Sequence, residues 1–306
     1  MSSVRHFLSV TDLAPHEVRE VIARGRALKA GERSQALAGK SIAILFEKPS
    51  LRTKLSFEVG INRLGGHPIY FSEDEIGLGI REPVQDVARV MSRMADAVII
   101  RTFSHALIEE FASAATIPVV NALTDGEHPC QTLADLQTIE ECRGSLNDVK
   151  VAYIGDGNNV AASLALGLAS TGGRLTIASP PGYELPEEIS ADAGEINAKS
   201  GGSLKQIVDP IEAVRDADIV YTDVWTSMGQ EAERQVRLAA FEGYQVNPEL
   251  LDHAPDGVRF MHDLPAHPGE EISDGMLTDP RSIVFDQAEN RLHAQAGLMH
   301  FLFSGA

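Results

Sequence analysis

Residues 41–64, SIAILF-EKPS-LRTKLSFEVGINRL, decide the fold. Six apolar or small residues with no helical periodicity form a buried strand, a Pro-containing turn follows, and then apolar residues recur every three or four positions. A strand buried on both faces and followed at once by an amphipathic helix is the unit of a parallel sheet wrapped by helices. Working outward, the same alternation recurs. Strands are expected at 67–71, 97–101 and 118–121, with helices at 53–64, 83–94, 106–115 and 128–142. After the break RGSLND (143–148) a second series begins, with strands at 149–154, 174–178, 219–222, 259–262 and 282–285. Helices are expected at 160–169, 186–198 and 210–215, and a last one at 290–303. The reading is an α/β chain of two domains, 1–145 and 146–289, each a parallel sheet flanked by helices. The terminal segment 290–306 is free to return to the first domain.

The composition narrows the function. Acidic residues outnumber basic ones 44 to 26, for a net charge of −18, which opposes binding to a nucleic-acid backbone. An anionic small molecule must then be held by local arginines, so their positions carry information. No apolar run reaches the roughly 18 residues of a membrane span, and the opening MSSVRHFLSVTDLAPHEVRE lacks the apolar core of a secretory signal. A soluble, cytoplasmic protein is the expectation. Cys130 and Cys142 lie on one predicted helix, about 18 Å apart and beyond disulfide reach, and no cysteine cluster offers a structural metal site.

In open parallel sheets ligands gather beyond the carboxyl ends of the strands. After 41–46 come Ser50, Leu51, Arg52, Thr53 and Lys54, where a capped helix start and cationic side chains make an anion site; an ordinary capped helix is the plain alternative. Arg101 ends AVIIR and Arg291 stands at the predicted start of the last helix, and each has a simple ion pair as its alternative reading. His128 and Gln131, one helical turn apart behind Pro129, form a donor pair able to face a carbonyl oxygen. GDGNN (155–159) looks like a dinucleotide turn, but Val160 replaces the third glycine and no acidic residue ends the next strand, so it reads as a tight turn presenting an Asn. Asp223 and Ser227, in DVWTSMGQE, suit an ammonium and a carboxylate, while Trp225 suits packing equally well. His262-Asp263-Leu264-Pro265 adds a further carboxylate at a strand end.

With these stretches assembled, the chain resembles the aspartate and ornithine carbamoyltransferase family, and within it the ornithine branch, over nearly its whole length. The resemblance rests on FEKPSLRTKLSFEVG (46–60), HPCQTLADLQT (128–138), GDGNN (155–159), DVWTSMGQE (223–231), LPAHPGEE (264–271) and FDQAENRLHAQ (285–295). It implies that Ser50, Leu51, Arg52, Thr53, Arg101, His128, Gln131, Asp263, Leu264 and Arg291 hold carbamoyl phosphate, with Arg101, His128, Gln131 and Asp263 acting in catalysis. It assigns ornithine to Asn159, Asp223, Ser227 and Met228. It implies carbamoyl transfer to ornithine in arginine metabolism, no metal or organic cofactor, and a homotrimer or multiple of trimers. The chain departs from the family where Asp263 replaces a cysteine, Lys54 an arginine and Pro268 an arginine, and where Gly77 stands in a loop that relatives make polar. Asp263 opens other acceptors, namely putrescine, lysine or an acylated ornithine. A nicotinamide-dependent oxidoreductase built on GDGNN and a non-catalytic anion-binding protein are the readings from other classes.

Overall fold

The computed structural model describes residues 4–227 and 229–304. Two compact units result, 1–137 with 289–306 and 138–288, with boundaries inside two helices. In the first unit the order is α1 (Pro15–Lys29), β1 (Ser41–Phe46), α2 (Leu51–Arg63), β2 (His67–Ser72), α3 (Glu73–Ile76), α4 (Val84–Met91), β3 (Ala97–Arg101), α5 (His105–Ala114) and β4 (Val119–Leu123). Then α6 (Pro129–Arg143) leads into β5 (Lys150–Ile154), α7 (Asn159–Thr171), β6 (Arg174–Ala178), α8 (Glu187–Ser200), β7 (Ser203–Ile207) and α9 (Pro210–Val214). The chain continues through β8 (Ile219–Thr222), α10 (Arg234–Ala240), α11 (Pro248–Leu251), β9 (Arg259–His262) and α12 (Val284–Ser304).

Both sheets are parallel throughout, with strand orders β2-β1-β3-β4 and β7-β6-β5-β8-β9. The chain reverses its direction of travel across the sheet between β1 and β3 in the first and between β5 and β8 in the second. Such switch points leave a crevice at the carboxyl edge. The expected strands are present except 282–285: Ser282 makes only a single bridge to Phe260 and α12 begins at Val284. Three apolar residues behind a serine cannot distinguish a strand from a first helical turn, and here the helix prevailed. β7 and α1 were not anticipated. The strand SLKQI is half exposed and polar, as an edge strand is when only one side needs burying.

The apolar interior follows the sheets. In the first unit Ala43, Leu45, Val98 and Ile100 pack under Ile108 and Phe111 of α5; in the second Ile154, Val220 and Phe260 pack against Phe241 and Trp225. Trp225 stacks on Phe241 with ring centroids 5.4 Å apart, so its role is packing. Among the described residues no helix is long and apolar enough to cross a membrane.

The last helix packs on the first. Gly297 of α12 lies so close to α1 that a Cβ on it would stand 2.5 Å from the carbonyl oxygen of Val21 and 2.8 Å from the nitrogen of Gly25. Both are backbone atoms and cannot swing aside. Gly297→Ala should therefore lower stability by about 1–3 kcal/mol through overpacking, measured by urea denaturation at unchanged m-value; a variant as stable as the parent would show that the helices separate freely.

Candidate active site

The first unit gathers buried cations at its switch point. β1 ends at Phe46 opposite Arg101 of β3, where the register against β4 slips, and Glu47 N–H donates to the Arg101 carbonyl at 2.9 Å. The turn then delivers Ser50, whose extended backbone and hydroxyl cap α2 by accepting from Thr53 N–H at 3.3 Å. The Ser50 hydroxyl donates to Thr53 Oγ1 at 2.9 Å. Arg291, in α12, donates to that same Oγ1 at 2.9 Å and to Gln131 Oε1 at 2.5 Å. Gln131 in turn donates to Asp135 at 2.8 Å. Arg291 is thus not the first-turn residue expected, since α12 starts seven positions earlier, and it donates to two neutral acceptors, Thr53 and Gln131.

His128 sits immediately before α6, 3% exposed, close enough to Arg291, Arg101 and Lys48 to feel all three. Burial, then those cations, hold its imidazole well below the ordinary value of 6.5, so it is neutral at physiological pH. Arg101 is 5% exposed, and so is Lys48, which sequence reading passed over although it stands in the EKPS turn. Lys48 pairs with Asp125 at 2.5 Å and lies 4.0 Å over the Phe103 ring. A helix start, two buried guanidinium groups, an ammonium and a neutral imidazole make a site for a small polyanion carrying a carbonyl. Cys130, beside His128, is no nucleophile: it is fully buried, its thiol donates to the Asn121 carbonyl at 3.3 Å, and burial pushes its pKa up to about 12. Cys130 and Cys142 are both free thiols.

The second unit gathers carboxylates. Asn158 caps α7 by accepting from Val160 and Ala161 N–H groups, and its amide donates to Asp223 at 2.7 Å. Asp223 also accepts from Val224 N–H at 2.7 Å. Asn158 thus helps to orient Asp223, and Asn159, the residue the resemblance points to for ornithine, opens the helix. One side-chain ligand atom each of Asp223, His262 and Asp263 lies within 4.8 Å of the others. The histidine has little to offer a metal there, because Nδ1 accepts from Leu264 N–H at 2.9 Å and Nε2 faces Glu271 at 3.2 Å. Ser227 N–H donates to Gln230 at 3.1 Å, while Met228 falls outside the described residues. Asp156, with its pKa raised chiefly by burial, is paired to Arg237 at 2.7 Å, and Arg237 donates to the Trp225 carbonyl at 3.1 Å, bracing the loop after β8. Sequence reading missed that brace.

GDGNN does not cradle a dinucleotide. A Cβ on Gly157 would lie 2.4 Å from the backbone of Glu184 and Leu185, and Gly157 N–H donates to the Tyr183 carbonyl at 2.8 Å. The chain's own loop occupies the close approach that a pyrophosphate needs.

The comparisons agree with this geometry. Residues 5–141 match the carbamoyl-P binding domain of aspartate/ornithine carbamoyltransferases, and residues 147–302 match their Asp/Orn binding domain. Together the two domains define a carbamoyltransferase. Curated relatives named ornithine carbamoyltransferase include those of Archaeoglobus fulgidus, 50% identical over 97% of this chain and 96% of the relative, and Bacillus subtilis, 49% identical over 96% and 92%. The solved structure of ornithine carbamoyltransferase from Pyrococcus furiosus superposes with a TM-score of 0.95 at 44% identity, covering 99% of this chain and 98% of that one. The chain belongs to the aspartate/ornithine carbamoyltransferase family.

Because folded His128 resists protonation, the unfolded chain takes up a proton that the folded one refuses once pH drops under 6.5. Its contribution to stability is complete above that value and lost as pH falls below it. Urea midpoints compared between about pH 7.5 and pH 5.5 should fall less for His128→Gln than for the parent. Equal slopes would mean that the imidazole takes up its proton alike in the folded and unfolded chain.

Proposed function

We propose that this protein transfers the carbamoyl group of carbamoyl phosphate to the side-chain amine of L-ornithine, forming citrulline and phosphate. The observation that carries the reading is the cation cluster around His128. Arg101, Lys48 and Arg291 gather about a neutral imidazole at the start of α6, in the part of the chain that matches a carbamoyl-phosphate-binding domain. In this reading Ser50, Leu51, Arg52 and Thr53 take the phosphate at the start of α2, and Arg291 closes on it. Arg101 bridges phosphate and carbonyl, and His128 and Gln131 stabilise the carbonyl oxygen as it becomes an oxyanion. Asn159, Asp223, Ser227 and Met228 take ornithine, with Asp263 and Leu264 at the reacting end. The neutral amine attacks the carbonyl carbon, a tetrahedral intermediate forms, and phosphate departs. No metal or organic cofactor is needed, because phosphate is already a good leaving group.

Arginine biosynthesis in the cytoplasm is the proposed setting, and a homotrimer or a multiple of trimers the proposed assembly. Leu51 and Leu55, 77% and 57% exposed on α2, provide apolar surface for such contacts. Asp263 sets the chemistry of the amine. An amine like that of lysine titrates near 10.4, so holding it neutral at pH 7 costs about 4–5 kcal/mol. A second carboxylate beside Asp223 favours the ammonium and raises that cost.

Citrulline formation from ornithine and carbamoyl phosphate, read colorimetrically across ornithine, putrescine, lysine and acetylornithine, tests the assignment. Ornithine should be the preferred acceptor; turnover with none of the four would remove it. Arg291→Lys keeps the charge but loses one of two bonds, and should lower carbamoyl-phosphate affinity roughly tenfold or more. Unaltered affinity would place Arg291 outside the anion site. Asp263→Cys should move the pH–rate profile toward lower pH. An unmoved profile with unmoved acceptor preference would show that residue 263 does not act on the amine.

A further inference from the structure

Leu264 has a φ of 61°, one of two positive values among the described non-glycine residues. A side chain with a Cβ disfavours that conformation, so something must hold it. The holder is the neighbouring imidazole. Leu264 N–H donates to His262 Nδ1 at 2.9 Å, which requires a lone pair on Nδ1 and places the ring proton on Nε2. Nε2 lies 3.2 Å from Oε1 of Glu271, a carboxylate with 0% exposure that also accepts from His267 N–H at 2.5 Å. The backbone of His262 is fixed independently, by donation to Gln287 at 2.9 Å.

The alternative tautomer would undo this arrangement. His262 Nδ1 is 3.5 Å from Asp263 Oδ1. A proton on Nδ1 would meet Leu264 N–H donor against donor and break the bond that holds the turn. Glu271 presents only acceptors to the ring, and the opposite tautomer would set the Nε2 lone pair against its Oε1.

We infer that Glu271 is a positioning residue for the amine half of the reaction: by keeping the His262 proton on Nε2, it holds the left-handed turn at Leu264 that follows Asp263. The inference rests on the carbamoyl-transfer reading above and deepens it, with Glu271 acting through His262 while its second bond, from His267 N–H, anchors the following loop.

The test joins a spectrum to a kinetic cycle. Imidazole nitrogen resonances of the parent enzyme should show an unprotonated Nδ1 and a protonated Nε2 at His262. A protonated Nδ1 overturns the inference, and this readout needs neither turnover nor a variant that folds. Glu271→Met should raise the ornithine KM and lower kcat, with kcat/KM falling about tenfold or more, while carbamoyl-phosphate affinity stays within about twofold. His262→Asn puts a carbonyl oxygen, which cannot become a donor, in the place of Nδ1. In that background Glu271→Met should cost less than about threefold. Unchanged kinetics in Glu271→Met, or the same loss in both backgrounds, would reduce Glu271 to a structural role. Absence of citrulline from the parent enzyme would instead defeat the functional reading and leave the tautomer result standing.

Discussion

A guanidinium 3% exposed must be held on several sides, and Arg291 is held by residues 160 and 238 positions away along the chain. Removing a charged group from water costs several kcal/mol unless hydrogen bonds replace the solvent. Thr53 at the start of α2 and Gln131 in the first turn of α6 supply those bonds, and each is itself fixed, by Ser50 and by Asp135. The need to satisfy one buried cation therefore draws together the capped turn after β1, the start of α6 and the C-terminal helix. The packing of α12 on α1 through Gly25 and Gly297 serves the same end, because it sets how closely the helix bearing Arg291 can lie.

The two units solve opposite electrostatic problems by similar means. In the first, cations are concentrated around an imidazole that burial and their own field keep neutral. In the second, Asp223 and Asp263 lie near each other, and neutral groups are aimed at them: the Asn158 amide and the N–H of Val224 both point to Asp223. Each polar cluster stands where the chain reverses direction across its sheet, beyond β1 and β3 in one unit and beyond β5 and β8 in the other. A net charge of −18 makes the first cluster the more demanding, since it is assembled against the sign of the whole chain.

Much of this was legible in the residues. Strands buried on both faces announce themselves as unbroken apolar runs, and the polar residues directly after them, Thr53, Arg101 and Asp223 among them, are where the structure buries polar and charged side chains. The failures have physical causes. The edge strand SLKQI has too little burial to leave a pattern, and SIVF at 282–285 was too short to reveal its period. α1 carries an internal glycine that weakens a helical reading, yet that glycine is present because α12 needs the space. In the site, what could not be read was direction: which oxygen accepts from which nitrogen. The Asn158 amide turns toward Asp223, Lys48 is buried near His128, and Nε2 of His262 faces Glu271. These are consequences of tertiary neighbours, and no spacing encodes them.

The replacement of cysteine by aspartate at position 263 reaches beyond the amine. Cys130 is sealed in the interior with its thiol held protonated, which leaves Cys142, exposed on α6, as the accessible thiol among the described residues. In the proposed reading no thiol stands at the reacting centre, so thiol-directed electrophiles and thiophilic metals find no cysteine to attack there. Thiol oxidation would then have no direct route to the chemistry of such a centre.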